Sequence, residues 1–185
     1  MSPSLLFWVA AAALLFWSVG AYNRLVRLRS EANMAFTALE IELTRQVQLV
    51  QSFLPAQDEQ AAPLDGDSVF WTSLGGAASQ FAASLAAARN RPLERGGIEA
   101  LGAAQDVLAT AWERAERDDA HDLAGSRLPD TVTATRRQLV AQAAAAATEF
   151  NLAVQRYNAG IAQFPAVLLA WLFGFKAGGL MRTGT

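Results

Sequence analysis

The chain has 185 residues, 52% of them apolar, and contains no cysteine. A chain of this length normally forms one domain, and the lack of cysteine excludes disulfides, thiolate metal ligands and thiol nucleophiles. The formal net charge of −2 argues against broad nucleic-acid binding, which requires a basic surface.

The first predicted element is an uncharged apolar helix over residues 5–22, LLFWVAAAALLFWSVGAY. At 1.5 Å per residue its length is roughly 27 Å, which just spans a bilayer core. A cleaved signal peptide is the alternative. Such peptides begin with a basic segment, but no basic side chain precedes the apolar run here. We therefore predict an uncleaved anchor over residues 1–22. Arg24, Arg27 and Arg29 follow it, which favours a cytoplasmic body and an external N-terminus.

Four helices are predicted after the anchor, because apolar residues recur there every three or four positions. Their ranges are 23–54, 68–90, 98–118 and 130–164. No helix breaker separates the anchor from the first of them, so the two are compatible with one continuous rod. Shortish loops favour an antiparallel arrangement. The predicted fold is therefore all-α, with a transmembrane helix continuing into an up-down four-helix bundle over residues 23–164.

This arrangement returns the fourth helix to the membrane and brings Tyr22-Asn23 and Tyr157-Asn158 to the same end of the bundle. The second and third helices look about 10 residues shorter than the other two, or roughly 15 Å. The difference predicts a two-helix stalk next to the membrane whose apolar residues lack a covering layer: Leu25, Leu28, Ala32, Tyr157 and Ile161. Exposed apolar area of this kind indicates a partner or a second copy.

The last segment, residues 165–185, begins with about 11 almost wholly apolar residues, which is too short to span a bilayer. We predict a short helix after Pro165 that lies in the headgroup region and ends at Gly174. Trp171 would lie near the interface, and Lys176 would reach for phosphate. A second span and a segment folded back on the bundle remain as alternatives.

Charge is unevenly distributed along the chain. The predicted membrane-proximal segments, residues 22–30 and 150–185, contain no acidic residue and six basic ones: Arg24, Arg27, Arg29, Arg156, Lys176 and Arg182. The loops at the far end are acidic, with Asp58, Glu59, Asp65, Asp67, Asp118, Asp119, Asp122 and Asp130. This polarity suits a body standing on an anionic leaflet, although acidic loops are often merely solvated.

Catalytic chemistry has little support in the sequence. His121 is the one histidine, and it lies in a polar loop, DDAHDLAG, rather than in a helical metal motif. The helices lack the Glu-x-x-His pairs of di-iron bundles. We therefore predict that the protein is not an enzyme and has no metal, cofactor or small-molecule substrate.

Two stretches carry a family resemblance: YNRLVRLRSEANMAFTALEIEL (22–43) and FNLAVQRYNAGIAQFPAVLLAWLFGFK (150–176). Together with their N-x-A-V-x-x-Y-N, F-P and F-G-F-K motifs they resemble the LemA family of bacterial membrane proteins. The resemblance covers the first and last helices and the tail, while the middle helices show no match. The resemblance implies a membrane-anchored helical bundle in the bacterial inner membrane. Some relatives are linked to the organisation of internal membranes, which suggests a similar role.

The predicted function is a membrane scaffold that associates with copies of itself. The alternative is an adaptor that recruits a cytoplasmic or membrane partner, such as an export, protease or signalling component. The expected partners are the lipid bilayer, a second copy and, for the adaptor, another protein. The residues predicted to contact membrane or partner are Tyr22, Asn23, Arg24, Leu25, Arg27, Leu28, Arg29, Tyr157, Asn158, Ile161, Phe164, Pro165, Trp171, Phe173, Gly174, Phe175 and Lys176.

Overall fold

The computed structural model describes residues 3–53, 66–120 and 128–182. Within these ranges helices are the regular secondary structure and no strand is present, so the predicted all-α class is confirmed at this level. The five helices are α1 (Pro3–Phe53), α2 (Gly66–Asn90), α3 (Arg95–Ala120), α4 (Asp130–Ala162) and α5 (Ala166–Phe173). The second and third, with 25 and 26 residues, are longer than expected.

Helix α1 is a single helix of 51 residues, so the apolar N-terminal segment and the first body helix form the continuous rod that the sequence allows. Among the described residues it is the one helix long and apolar enough to cross a membrane, a test that an N-terminal signal sequence also passes. Its first part packs against little of the protein, and Phe16 is 82% exposed.

The C-terminal part of α1 carries the apolar stripe predicted from its spacing, and this stripe is buried in the main core. Helix α4 lies along it in the opposite direction, as contacts between the two helices show. The rings of Phe36 and Phe150 meet at 5.6 Å, whereas Gln46, further along α1, donates a hydrogen bond to the carbonyl of Leu139, earlier in α4 (3.4 Å).

Helices α2 and α3 pack against each other across the short connection 91–94, and α2 packs on α1, where Arg89 Nε lies 3.3 Å from Glu40 Oε1. Helices α3 and α4, in contrast, make no close backbone contact over their described residues. The long side chain of Arg136 on α4 bridges them, with Nη1 2.9 Å from Glu116 and the guanidinium over the Trp112 ring. A cleft of about 380 Å³ remains between these two helices.

Residues 175–182, here called the C-terminal strap, follow α5 and run back over the body without helical structure. The backbone N–H of Gly179 donates to the carbonyl of Leu93 in the α2–α3 connection (3.1 Å), and Met181 is buried in the main core. The strap therefore joins the α2–α3 pair to the α1–α4 pair.

The expectation that the stalk residues lack a covering layer is wrong. Four of them are buried and Ile161 is half-buried: Leu25, Leu28, Ala32 and Tyr157. Leu25 packs with Ala166 and Ala170 of α5, and the Tyr157 hydroxyl bonds to the strap. Leu28 packs against Gly160 of α4, and Ala32 belongs to the main core. Helix lengths alone do not reveal this cover, because part of it comes from the segment after α4.

Candidate membrane-contact site

Helix α5 is a short helix with clear signals at both ends. The N–H of Val167 donates to the carbonyl of Gln163 (2.8 Å), and that of Leu168 donates to Pro165 (3.0 Å). At the other end Gly174 has a φ of 69° in the left-handed region, which glycine adopts without the steric cost of a Cβ. The N–H of Phe175 then reaches the carbonyl of Ala170 (2.8 Å). The predicted end of the helix at Gly174 is confirmed.

Helix α5 buries small side chains and exposes large apolar ones, the opposite of what a helix on a water-exposed surface does. Its two buried residues are the small ones, Ala166 and Ala170. Apart from the half-buried Leu169, its large apolar side chains are exposed, and Trp171 is 84% exposed. The others in this outward set are Val167, Leu168, Leu172 and Phe173, and Phe164, just before the helix, is exposed as well. A helix that presents its large apolar residues outward needs an apolar medium or a partner to cover them.

Helix α5 lies against the point where the candidate span of α1 ends. Leu25, Ala166 and Ala170 form a small buried cluster, with Ile161 and Phe175 packed on its edge. Aromatic contacts continue this junction toward the N-terminus of α1. They are Trp17 with Phe164 at 5.6 Å, Tyr22 with Phe173 at 5.0 Å and Tyr22 with Phe175 at 6.1 Å. The exposed surface of α5 is therefore continuous with the exposed apolar surface of α1.

Basic side chains surround this junction. Arg24 donates to the side chain of Gln163 (3.1 Å), and the Arg29 guanidinium lies over the Phe175 ring, 5.9 Å from its centroid. Arg27 forms an exposed ion pair with Glu31 (3.5 Å), the one acidic residue in the ranges 7–31 and 150–182. Asn23, Arg156 and Lys176 are exposed as well. The surroundings of the apolar surface are thus strongly cationic.

Tyr157 connects α4 to the strap. It is 2% exposed, and its hydroxyl donates a hydrogen bond to the backbone carbonyl of Lys176 (3.0 Å). Burial raises the pKa of Tyr157 above its ordinary value of 10.0, since the charged phenolate would lose its hydration, and the nearby positive charge of Arg29 opposes this effect. The side chain is therefore a structural hydrogen-bond donor rather than a surface contact.

Two asparagines of α4 hold the strap. The side-chain amide of Asn158 donates to the carbonyl of Gly178 (3.1 Å) and accepts from its N–H (2.8 Å). Asn151 makes the same pair of bonds with Met181, both at 2.8 Å. Seven helical residues rise about 10.5 Å, and three extended residues cover about 10 Å. The spacings therefore match, with the strap running antiparallel to α4.

This clamp was missed by sequence reasoning, although both asparagines belong to the N-x-A-V-x-x-Y-N motif. The available signal was two asparagines seven residues apart, on one face of a helix, before a segment rich in glycine. Of the other predicted contact residues, Leu28 is buried against Gly160, and Pro165 is half-buried. The predicted set thus divides into an exposed group around α5 and a buried group that binds the tail.

In the described parts of the chain, no three histidine, aspartate or glutamate side chains lie close enough together to hold a metal ion. The cleft between α3 and α4 contains one unusual group, the buried Nε of Arg136, which has no hydrogen-bond partner. His121 and the acidic residues Asp58, Glu59, Asp65 and Asp122 lie outside the described residues.

Comparisons with protein-family models, with curated proteins and with solved structures find no match to this chain.

Proposed function

We propose that the protein is a membrane-anchored, non-enzymatic helical scaffold that associates with copies of itself at the bilayer surface. The observation that carries this proposal is the reversed arrangement of α5, whose large apolar side chains point away from the protein beside the end of the apolar part of α1. The proposal assigns no catalytic residue, metal, cofactor or small-molecule substrate.

In the proposed arrangement α1 crosses the bilayer once with residues 5–22, and the body stands on the cytoplasmic side. The body is an antiparallel up-down four-helix bundle over residues 23–164. The opposite order of contacts along α1 and α4 and the short connection between α2 and α3 support it. The arginines that follow the span favour this orientation, because basic residues are enriched on the cytoplasmic side.

Helix α5 would lie in the headgroup region, as a second contact with the same leaflet. Burying one large apolar side chain contributes about 1.5–3 kcal/mol, so the five exposed large apolar side chains of α5, together with Phe164 just before it, provide a strong drive toward lipid. Lys176 and the neighbouring arginines would add about 1 kcal/mol each on an anionic leaflet. Trp171 suits the interface, where its ring is partly apolar and its N–H finds a hydrogen-bond acceptor.

We further propose that the chain is a LemA family protein of the bacterial inner membrane, including specialised internal membranes. The support is the resemblance itself, together with the role of its motif residues. Asn151, Tyr157 and Asn158 all bind the tail, and Gly174 ends α5. The residues of these motifs therefore belong to one structural unit, in which α4 binds the segment that follows it.

An adaptor is the second candidate function, and the cleft between α3 and α4 favours it. Its walls include the small residues Ala143, Ala144 and Ala147 and the ring of Trp112, so a helix or extended peptide of a partner could approach closely. A photo-crosslinker in place of exposed Ala144 should then join one foreign protein. Cross-linking to other copies of this chain alone would contradict the adaptor.

The test of the scaffold proposal uses the absence of native cysteine. Leu168→Cys on α5 and Leu152→Cys on the outer face of α4 are compared in the full-length chain, each labelled with an environment-sensitive dye and reconstituted in vesicles with and without an anionic lipid. Both side chains are exposed in the protein. We expect a blue-shifted emission for residue 168 alone, because lipid excludes water around the dye.

The shift at residue 168 should grow with the anionic lipid and shrink at high salt, since exposed charges are screened. Equal emission at residues 152 and 168 would contradict lipid contact by α5. Extraction of the unlabelled chain by alkaline carbonate would contradict the anchor itself.

A further inference from the structure

The body part of α1 has a second stripe on the side opposite its core stripe. Its spacing from Ser30 onward alternates between four and three residues, as in the contact positions of a coiled coil. The stripe, here called the outer seam, consists of Val26, Ser30, Met34, Thr37, Ile41, Thr44 and Gln48. At 3.6 residues per turn these seven residues lie within about 80° of arc.

The outer seam is uncharged, and all of its residues are exposed except the half-buried Thr44. Met34 is 63% exposed and Ile41 is 49% exposed, so large apolar side chains face solvent about two turns apart. The hydroxyl of Thr37 is satisfied within its own helix, by the carbonyl of Asn33 at 3.2 Å. No charged residue lies in the seam, whereas charged residues border it on both sides. With three apolar and four uncharged polar residues, this surface matches a helix that carries the same pattern.

The seam also continues into the candidate span. The same three-and-four spacing extends backward through Asn23, Val19, Leu15, Ala12 and Trp8, and these side chains from Val19 to Trp8 are exposed in the single chain. Copies inserted in the same orientation hold their α1 helices parallel. Equivalent residues then come opposite each other, which is the arrangement that a two-fold parallel pair requires.

We propose that the outer seam is the surface through which two copies of this chain pair, along α1 from the bilayer into the body. The inference rests on the proposed membrane anchor and adds the surface and the geometry. It places self-association away from the stalk residues Leu25 and Leu28, which the chain covers itself.

Charges at the seam border agree with a parallel pair. Glu40 and Arg45 lie on opposite borders, five residues apart, at positions that correspond to the g and e flanks of a heptad centred on Met34, Thr37 and Ile41. In coiled coils these flanks carry the charged pairs between helices. In a parallel pair Glu40 of one copy comes near Arg45 of the other, so the charges that meet there have opposite signs. In the single chain each has a partner of its own, Arg89 for Glu40 (3.3 Å) and Glu42 for Arg45 (2.9 Å).

Single cysteines in the cysteine-free chain test this surface. Met34→Cys and Ile41→Cys are compared with Leu152→Cys and Val107→Cys, which are exposed apolar positions on α4 and α3. Full-length protein in native membranes is oxidised and separated without reductant. A disulfide needs Cα atoms within about 7 Å, so we expect roughly tenfold more linked dimer at the seam positions than at the controls.

A double variant gives an independent reading. Met34→Glu with Ile41→Glu puts like charges opposite each other in the pair, whereas Leu152→Glu adds a charge elsewhere. In mild detergent, light scattering should show the seam variant as a monomer and the control as a dimer, while both keep the wild-type helical content because the changed side chains are exposed.

Alkaline carbonate extraction of the same membranes distinguishes this inference from the proposal on which it rests. Chain that resists extraction but cross-links equally at all four positions overturns the seam and leaves the anchor. Chain that is extracted overturns the anchor, and the parallel seam with it.

Discussion

At the scale of single residues, the buried side chain of Tyr157 makes a hydrogen bond whose contribution to stability depends on pH. Its neutral hydroxyl donates to the carbonyl of Lys176, and burial raises its pKa above 10.0. A raised pKa in the folded state means that the neutral form is preferred there. The contribution to stability is therefore complete below about pH 10 and is lost as the pH rises through the folded-state pKa.

We predict that Tyr157→Phe lowers the free energy of unfolding at neutral pH by about 1 kcal/mol, the usual worth of one such hydrogen bond. The variant should also lose less stability than wild type as the pH rises above about 10. Thermal unfolding in detergent, followed by circular dichroism, measures both effects. The control Tyr22→Phe leaves Tyr157 in place and should keep the alkaline loss; an equal loss in Tyr157→Phe would contradict the assignment.

Glycine substitutions separate close packing from helix propensity. A Cβ on Gly179 would lie 2.7 Å from the backbone Cα of Arg95, whereas nothing lies within 4 Å of a Cβ on Gly76. We predict that Gly179→Ala destabilises the protein by about 1–3 kcal/mol, because the strap must shift. Gly76→Ala in the interior of α2 should stabilise it by about 0.5–1 kcal/mol. Chemical unfolding in detergent would contradict this if both changes had the same sign.

At the scale of elements, the strap is part of the hydrophobic core although it has no regular structure. Met181 is 3% exposed within the main core, whereas its neighbour Leu180 is 43% exposed. Gly178 and Met181 are both hydrogen-bonded to α4, so only two residues of the strap lie between these attachments. The contribution of the strap to stability therefore depends on individual side chains.

We predict that Met181→Ala lowers the free energy of unfolding by about 2–4 kcal/mol, in the range of buried methionine truncations. Leu180→Ala, one residue away, should change it by less than about 0.5 kcal/mol, as exposed positions do. Chemical unfolding of both variants in detergent gives the comparison. Equal effects would mean that the strap does not enter the core.

Periodicity made the helices predictable from sequence. The apolar repeats in α1 and α4, the breaker Pro165 and the ending Gly174 are local signals, and each falls within a few residues of the observed boundary. The strap could not be predicted in the same way, because its bonds join residues 20 and 30 positions apart. The outward side chains of α5 were predicted only as a composition, since spacing does not reveal that Ala166 and Ala170 face inward.

At the scale of the whole molecule, two helix pairs are joined unevenly. Helix α2 packs on α1, but α3 and α4 meet through side chains such as Arg136 rather than along their backbones. The strap supplies a second connection, because it is bound to α4 by two asparagines and to the α2–α3 connection by the carbonyl of Leu93. Loss of the strap should therefore loosen one pair relative to the other.

We predict that the double variant Asn151→Ala with Asn158→Ala increases amide hydrogen exchange in residues 177–182 and at the start of α3, by roughly tenfold or more. Exchange in the paired parts of α1 and α4 should change little, because their own contacts remain. Gln155→Ala, an exposed position between the two asparagines, is the control. A uniform increase over all helices would instead indicate general destabilisation.

The unbroken course of α1 would make it a lever as well as the proposed anchor. The part beyond the proposed span, residues 23–53, is about 46 Å long at 1.5 Å per residue. A change of 10° in the tilt of the span would swing the far end of this arm by about 8 Å parallel to the leaflet. Membrane thickness alters helix tilt, so the C-terminal end of α1 at Phe53 would move sideways when the protein passes from a thin bilayer to a thick one.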